Sequence, residues 1–452
     1  MDQYQTAKEE IKGASDIVEL IGQFVQLKRA GQNYLGLCPF HSEKAPSFTV
    51  SPSKQMFHCF GCKKGGDIFA FWMAYHKVDF PQAFKDLADR YHVQIPQRPL
   101  TKTEKKHKEL KALLFHINKK AAHYFHTILT ESEKGERGRN YFSKRSIPED
   151  IISEYNLGYA PDGWDGLVRF FRSQGMDPEK VVQAGLFIPK KSGGYYDRFR
   201  NRVIFPIFDV RGKIVGFGAR VLDDSLPKYL NTPETPIFRK GELLYGLQTA
   251  SRTIRNNDRA VVVEGYTDVL GLRTHGFQEA VATLGTSLTS HHVRMLKGYA
   301  QETVVVFDSD SAGEKAALKS LSLFLREGLA SRVMILPEGE DPDSFVRKYG
   351  LERFLQLLDH AAPMFEYYLD RKIASGHPGV EGKVKVLKEI LPLLSTLNDT
   401  TQQALYTRRL SEKLDVAESV VLAEIRRLPN QRAPELDKDR LSDRVMSTKV
   451  KD

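Results

Sequence analysis

Three acids sit where a parallel strand would deliver them to one rim. VVVEGYTDV (261–269) and TVVVFDSDSAG (303–313) each begin with a run of β-branched residues and end in carboxylates. Such runs read as buried parallel strands, and helix-forming sequence follows both. Glu264 therefore falls just past one strand end, and Asp308 and Asp310 just past another. A third strand-turn unit, AVATLGTSLTSHH (280–292), lies between them with a Gly285-Thr286-Ser287 turn. Open α/β sheets place their sites beyond the carboxyl ends of the strands, so the acids should converge. Alternation along Asp308-Ser309-Asp310 sends both aspartates to one side. Three clustered carboxylates need a cation, and hard oxygen ligands suit Mg²⁺ or Mn²⁺. Helix capping by Asp310 would explain one acid and leave the others uncompensated.

A second constellation is Cys38-x-x-His41 with Cys59-x-x-Cys62, which uses all 3 cysteines of the chain. Paired knuckles of this spacing fit a closed tetrahedral zinc site, structural because no coordination position stays open. A redox C-x-x-C would leave Cys38 and His41 unexplained. SFTV and QMFHCF flank the knuckles and predict the hairpin of a zinc ribbon. Lys28, Arg29, Lys44, Lys54, Lys63 and Lys64 are interleaved there with Tyr34, Phe40, Phe48, Phe57 and Phe60. Such mixtures suit single-stranded nucleic acid, although the aromatics also read as the ribbon's core.

The third group is basic. Arg200, Arg202, Arg220, Lys228, Arg239 and Lys240 crowd one stretch, each an ordinary surface charge alone but together a positive channel beside an acidic metal site.

The elements that position these groups follow from the rest of the chain. At 452 residues it exceeds one ordinary core, and 41% hydrophobic with 27% charged residues is the composition of a folded soluble protein. The net charge of +10 favours a polyanionic partner. The N-terminus lacks an apolar leader and no run is long enough for a membrane span, which predicts a cytoplasmic protein. We expect a zinc-ribbon domain over 1–100, a charged linker over 101–112 and a mixed α+β basic subdomain over 113–240. A catalytic α/β subdomain over 241–349, a helical bundle over 350–428 and a disordered tail over 429–452 complete the expected order. The fold class is thus multidomain, α+β and α/β. A continuous helix is the alternative for the linker. No G-x-x-x-x-G-K-[ST] occurs, so the chain is not a P-loop motor.

EGYTDV, the GTS turn and FDSDSAG resemble the Toprim domain, a fold of metal-dependent phosphoryl chemistry on nucleic acid. GLCPFHSEKAPSFTV, FHCFGC and GGD are similar to the CHC2 zinc domain of bacterial DnaG-type primases, and residues 113–240 to the N-terminal half of their polymerase core. The resemblance implies a DNA-directed RNA polymerase that makes RNA primers on single-stranded template from ribonucleoside triphosphates. It implies catalytic roles for Glu264, Asp308 and Asp310. Asp341 and Asp343 of the D-P-D loop would face the same Mg²⁺ cluster, though Asp341 also reads as a helix start. Asp268 shares a helix face with Glu264 and is a ligand or a helix N-terminal acid. Arg145, Arg220, Lys228 and Lys240 fall on the family's basic positions. SKRSI departs from the usual K-R-G-[LI] around Arg145. A replicative helicase is the family's partner, but its binding domain is expected to be missing here, in a short form or a truncated piece. The rival readings are a Toprim nuclease or topoisomerase, and a non-catalytic single-strand-binding factor.

Overall fold

The computed structural model describes residues 3–41, 43, 45–76, 78–94, 101–307, 320–375, 379–397 and 399–428. Lys44, Asp308, Asp310 and the expected tail 429–452 lie outside the described residues. The chain forms two compact units, Met1–Lys108 and Glu109–Asp452.

The first unit is built on a five-stranded antiparallel sheet in chain order: Lys28–Ala30, Asn33–Gly36, Phe48–Ser51, Met56–Cys59 and Gly65–Gly66. Its central hairpin pairs Phe48 with Cys59 and Val50 with Phe57. Strict alternation buries those four on one face, as a period of two requires. The rings of Phe48 and Phe57 stack at 5.2 Å, and Phe71 of helix Ile68–His76 meets Phe57 edge-on at 5.7 Å. Phe48 and Phe57 are therefore core, whereas Phe60 is 63% exposed.

This small core is pinned by the knuckles. The ligand atoms of Cys38, His41, Cys59 and Cys62 lie within 4.8 Å of one another. Cys38 Sγ and Cys62 Sγ are 3.8 Å apart. A tetrahedral zinc with bonds of about 2.3 Å spaces its sulfurs about 3.8 Å apart, so the donor set fits that ion. His41 turns Nδ1 toward Cys59 Sγ, at 3.9 Å, and Nε2 toward Glu43 Oε2, at 3.1 Å. Nδ1 is thus the ligand atom, and Nε2–H donates to a carboxylate that fixes the tautomer. Glu43 also accepts the Cys38 amide at 2.7 Å and the Ser47 amide at 3.1 Å. Gly61 must be glycine: a Cβ there would stand 2.6 Å from His41 Nε2. Burial pushes the Cys38 thiol up to about 12.

Helix Lys102–Glu131 begins within the expected linker and runs unbroken for 30 residues, most of them in the second unit. Its buried side chains start only at Leu114 and recur at Ile117, Ala121 and Phe125. The charged first turns are helix because Lys, Glu and Leu favour it, not because they pack. An antiparallel sheet follows in the order Tyr229–Asn231, Ile214–Val221, Arg202–Phe208, Gly158–Ala160. DVRGKIVG is its hairpin: Asp209 Oδ1 accepts the amides of Arg211 and Lys213, and Gly212 takes a φ of 76°.

The second sheet runs Ala280–Ala282, Arg259–Val263, Glu302–Phe307, Ala330–Ile335, parallel, with Ala362–Pro363 antiparallel at the edge. Alternate residues feed two different cores. Val261, Val263, Val304 and Val306 join one with Tyr155, Phe205 and Tyr266, while Ala260, Val262, Val305 and Phe307 join the other with Phe324, Leu369 and Leu394. Burial on both faces leaves the strand ends as the sheet's wet surface. Helices Met364–Ser375, Val380–Ser395, Thr400–Leu414 and Glu418–Arg427 form the helical region and share the second core. Among the described residues no helix is long and apolar enough to cross a membrane.

Removing the metal with a chelator is expected to unfold the first unit while calorimetry still records the cooperative transition of the second. Glu43→Gln should weaken zinc binding about 10–100-fold in a chelator competition, by loosening the His41 ring.

Candidate active site

The carboxyl ends of three parallel strands border a cavity of about 270 Å³. Val262, Val263 and Glu264 line it from one strand end, Thr283 and Gly285–Leu288 from the next, and Val305–Phe307 from the third. Glu264 is exposed on this rim, and the strand that leads into Asp308 and Asp310 ends at Phe307 on the same wall. Gly285 takes a φ of 71°, a conformation that lets the GTS turn bend back along the cavity.

The other acids have visible local partners. Asp268 is the third residue of helix Tyr266–Thr274 and accepts the Gly265 amide at 2.8 Å, closing the turn behind Glu264. Asp341 caps helix Pro342–Asp359 through the Ser344 amide at 2.7 Å. Asp343 is 1% exposed and pairs with Arg145 and, at 3.3 Å, with Arg347. Burial holds its carboxyl above the usual range despite both arginines, and its Oδ1 is buried with no hydrogen-bond partner among the described residues.

The basic residues are organised by aromatic rings. Arg145 and Arg220 lie over Tyr141, 5.3 and 5.5 Å from its centroid, and Arg220 Nη1 donates to its hydroxyl at 3.0 Å. Arg220 also covers Tyr229, at 5.4 Å. Two guanidinium groups repel, and the ring that both approach offsets part of that. Burial lifts the Tyr141 hydroxyl to about 12, so it stays neutral. Ser146 takes a φ of 55°, the left-handed region that glycine adopts freely, at the position where SKRSI departs from K-R-G-[LI]. Arg200 belongs to another stack, 4.2 Å over the exposed Trp164 and 5.3 Å over Tyr196. Arg202 is buried and donates to the carbonyls of Pro227, at 2.9 Å, and Lys228, at 3.4 Å. Its charge therefore fixes the loop that presents the exposed Lys228. Lys240 is half-buried in the turn Lys240–Glu242.

Sequence reading passed over several residues that knit these groups. Tyr141 stands four positions before Arg145 in NYFSKR, one helical turn away, and that spacing was the available signal. Asn231 accepts the Tyr266 hydroxyl at 2.7 Å and donates to the Leu284 carbonyl at 2.8 Å. It so joins PKYLN to the turn after Glu264 and to the GTS segment. Gly218 of GFGAR makes room for this: a Cβ would lie 2.4 Å from Tyr266.

Arg145→Ala, which strips Asp343 of one partner in a buried site, should cost about 3 kcal/mol in urea denaturation. In the double variant with Asp343→Asn the two losses should fall well short of additive.

Comparison with known proteins covers most of the chain. Residues 3–104 match the family described as CHC2 zinc finger, 124–251 the DNA primase catalytic core, N-terminal domain, and 261–346 a Toprim-like family. Residues 365–419 match the DnaB-helicase binding domain of primase. This match overturns the expectation that such a domain is missing. Its helices share a core with the parallel sheet through Phe365, Leu369 and Leu394, so their apolar pattern read as closure of the polymerase core. A DNA primase of Clostridium acetobutylicum is 40% identical over 416 residues, 91% of this chain and 68% of that relative. The Aquifex aeolicus primase, zinc-binding and RNA polymerase domains, superposes with a TM-score of 0.61 at 30% identity, over 92% of this chain and 99% of that one. A DnaG primase catalytic domain bound to ssDNA does so with a TM-score of 0.62 at 35% identity, over 68% and 99%. The chain belongs to the DNA primase family.

Proposed function

We propose that the cavity rimmed by Glu264 is the nucleotidyl-transfer centre, where ribonucleotides are joined on a single-stranded DNA template. The observation that carries this reading is the convergence of three parallel strand ends, one bearing Glu264 and one leading into Asp308-Ser309-Asp310, on a single cavity. Glu264, Asp308 and Asp310 would hold Mg²⁺ or Mn²⁺, with Asp268 and Asp341 as further candidate ligands. The fully buried Asp343 is engaged by Arg145 and Arg347 and is assigned to that ion-pair network instead of to the metal. The bound ions would lower the pKa of the attacking 3′-hydroxyl and neutralise charge on the departing pyrophosphate.

The remaining work falls to the chain's own side chains. Arg145 and Arg220, oriented by Tyr141, and Lys228 and Lys240 hold the triphosphate and the template phosphates near the carboxylates. Arg200 on Trp164 offers a charge beside a flat apolar face, which suits phosphate contact with base stacking. Arg202 serves by fixing the Lys228 loop. Joining two free nucleotides carries a large entropic cost, and fixed positive groups lower it by orientation. The first unit, with zinc on Cys38, His41, Cys59 and Cys62, contributes template contact at the start site. The helices over 365–419 are the docking segment for a replicative helicase, and such work places the protein in the cytoplasm at the replication fork.

The test is incubation of short single-stranded DNA with Mg²⁺, with and without ribonucleotides. New RNA is expected only when ribonucleotides are present, whereas shortening of the DNA would mean a nuclease. Asp308→Ala and Asp310→Ala should each lower synthesis at least about a hundredfold while the affinity for single-stranded DNA is kept. Retained synthesis in both variants would refute the assignment.

A further inference from the structure

The turn Lys240–Glu242 spans three residues, and two of its carbonyls are taken by side chains. Two side chains from helix Ser290–Lys297 and its cap take them. Thr289 is that helix's N-cap, and its Oγ1 accepts the His292 amide at 3.2 Å. The hydroxyl carries one proton, and this goes to the Gly241 carbonyl at 2.7 Å. His292 sits at the third helical position, fully buried. Its Nδ1 accepts the Thr289 amide at 3.3 Å, so Nε2 bears the hydrogen and donates to the Lys240 carbonyl at 3.1 Å.

Each residue thus does two things: it closes one half of the helix cap and holds one of two consecutive carbonyls across the interface. A cap by itself needs only the first, and glutamate or glutamine serves it at the third position. A neutral imidazole buried with both nitrogens committed goes beyond capping. Burial also keeps its pKa below the usual histidine value, in line with the neutral form that both bonds require. The helix begins directly after Gly285–Leu288, the wall of the Glu264 cavity. Shape agrees, since a Cβ on Gly241 would lie 3.4 Å from Thr289 Cγ2.

We propose that Thr289 and His292 are positioning residues that register the Lys240 turn against the cavity wall and so set where the Lys240 charge meets the nucleotide. This rests on the reading of the Glu264 cavity as the nucleotidyl-transfer centre with Lys240 beside it.

The experiment is a double-mutant cycle on the full chain, read as ribonucleotide incorporation on a short template with nucleotide varied, alongside thermal unfolding. Thr289→Val keeps the shape and removes the hydroxyl. It should lower kcat/KM for nucleotide about tenfold or more, chiefly through KM, because displacing a charge by about 1 Å can cost up to a hundredfold. In a Lys240→Ala background the same change should matter less than about twofold, since no charge remains to misplace. His292→Gln, which can close the cap and reach the carbonyl, should stay within about threefold of the parent, whereas His292→Leu should not. If Thr289→Val fails to fold, the two histidine variants carry the cycle in its place. Equal losses in both backgrounds would reduce the pair to structural packing and overturn the proposal. A Lys240→Ala protein with full activity would overturn it too, and would locate the failure in the role given to Lys240 and not in the clamp.

Discussion

A parallel sheet buried on both faces, whose carboxyl strand ends alone are left for polar groups, governs this molecule. A sheet covered on both faces has one polar edge at which chemistry can occur, and Glu264 stands there because Val261, Val262 and Val263 are all spent on the two cores. Acids gathered at such an edge have to be balanced. Glu264 borders an open cavity at this edge, and Asp343, buried away from it on helix Pro342–Asp359, is balanced by two arginines.

The positive groups face the converse problem, and aromatic rings answer it. Tyr141 carries Arg145 and Arg220, Trp164 carries Arg200, and neither ring competes for the charge as a carboxylate would. Where a carboxylate is used, as with Asp343, it is fully buried and ties the helix before Arg145 to helix Pro342–Asp359, which follows strand Ala330–Ile335. Backbone holds complete the frame. Arg202 fixes the Lys228 loop, Asn231 bridges three segments, and Thr289 with His292 takes the carbonyls beside Lys240. The zinc ribbon repeats the pattern on a smaller scale, with Glu43 organising a histidine, a serine and the Cys38 amide around the knuckle.

What could be read in the sequence was whatever has a fixed local spacing. The knuckles at Cys38-x-x-His41 and Cys59-x-x-Cys62, the β-branched runs before Glu264 and Asp308, and the DVRGKIVG hairpin all encode their geometry within a few residues. Cross-chain contacts do not. Nothing near Asn231 announces Tyr266, and nothing near His292 announces Lys240, because those bonds join segments 35 and 52 residues apart. The helices over 365–419 illustrate a different limit. An amphipathic pattern states that a helix buries one face, and these helices bury theirs against the catalytic sheet's own core. Their match to a helicase-binding domain could not be read from that periodicity.

The central claim is that Glu264, Asp308 and Asp310 together bind divalent cations, and Mn²⁺ titration followed by electron paramagnetic resonance tests it most directly. The full chain should bind Mn²⁺ at a site that weakens by at least about tenfold in Glu264→Gln and in Asp308→Asn, with thermal unfolding little changed. Mn²⁺ affinity that is the same in parent and variants would contradict the account, because the strand-end acids would then not form one cation site.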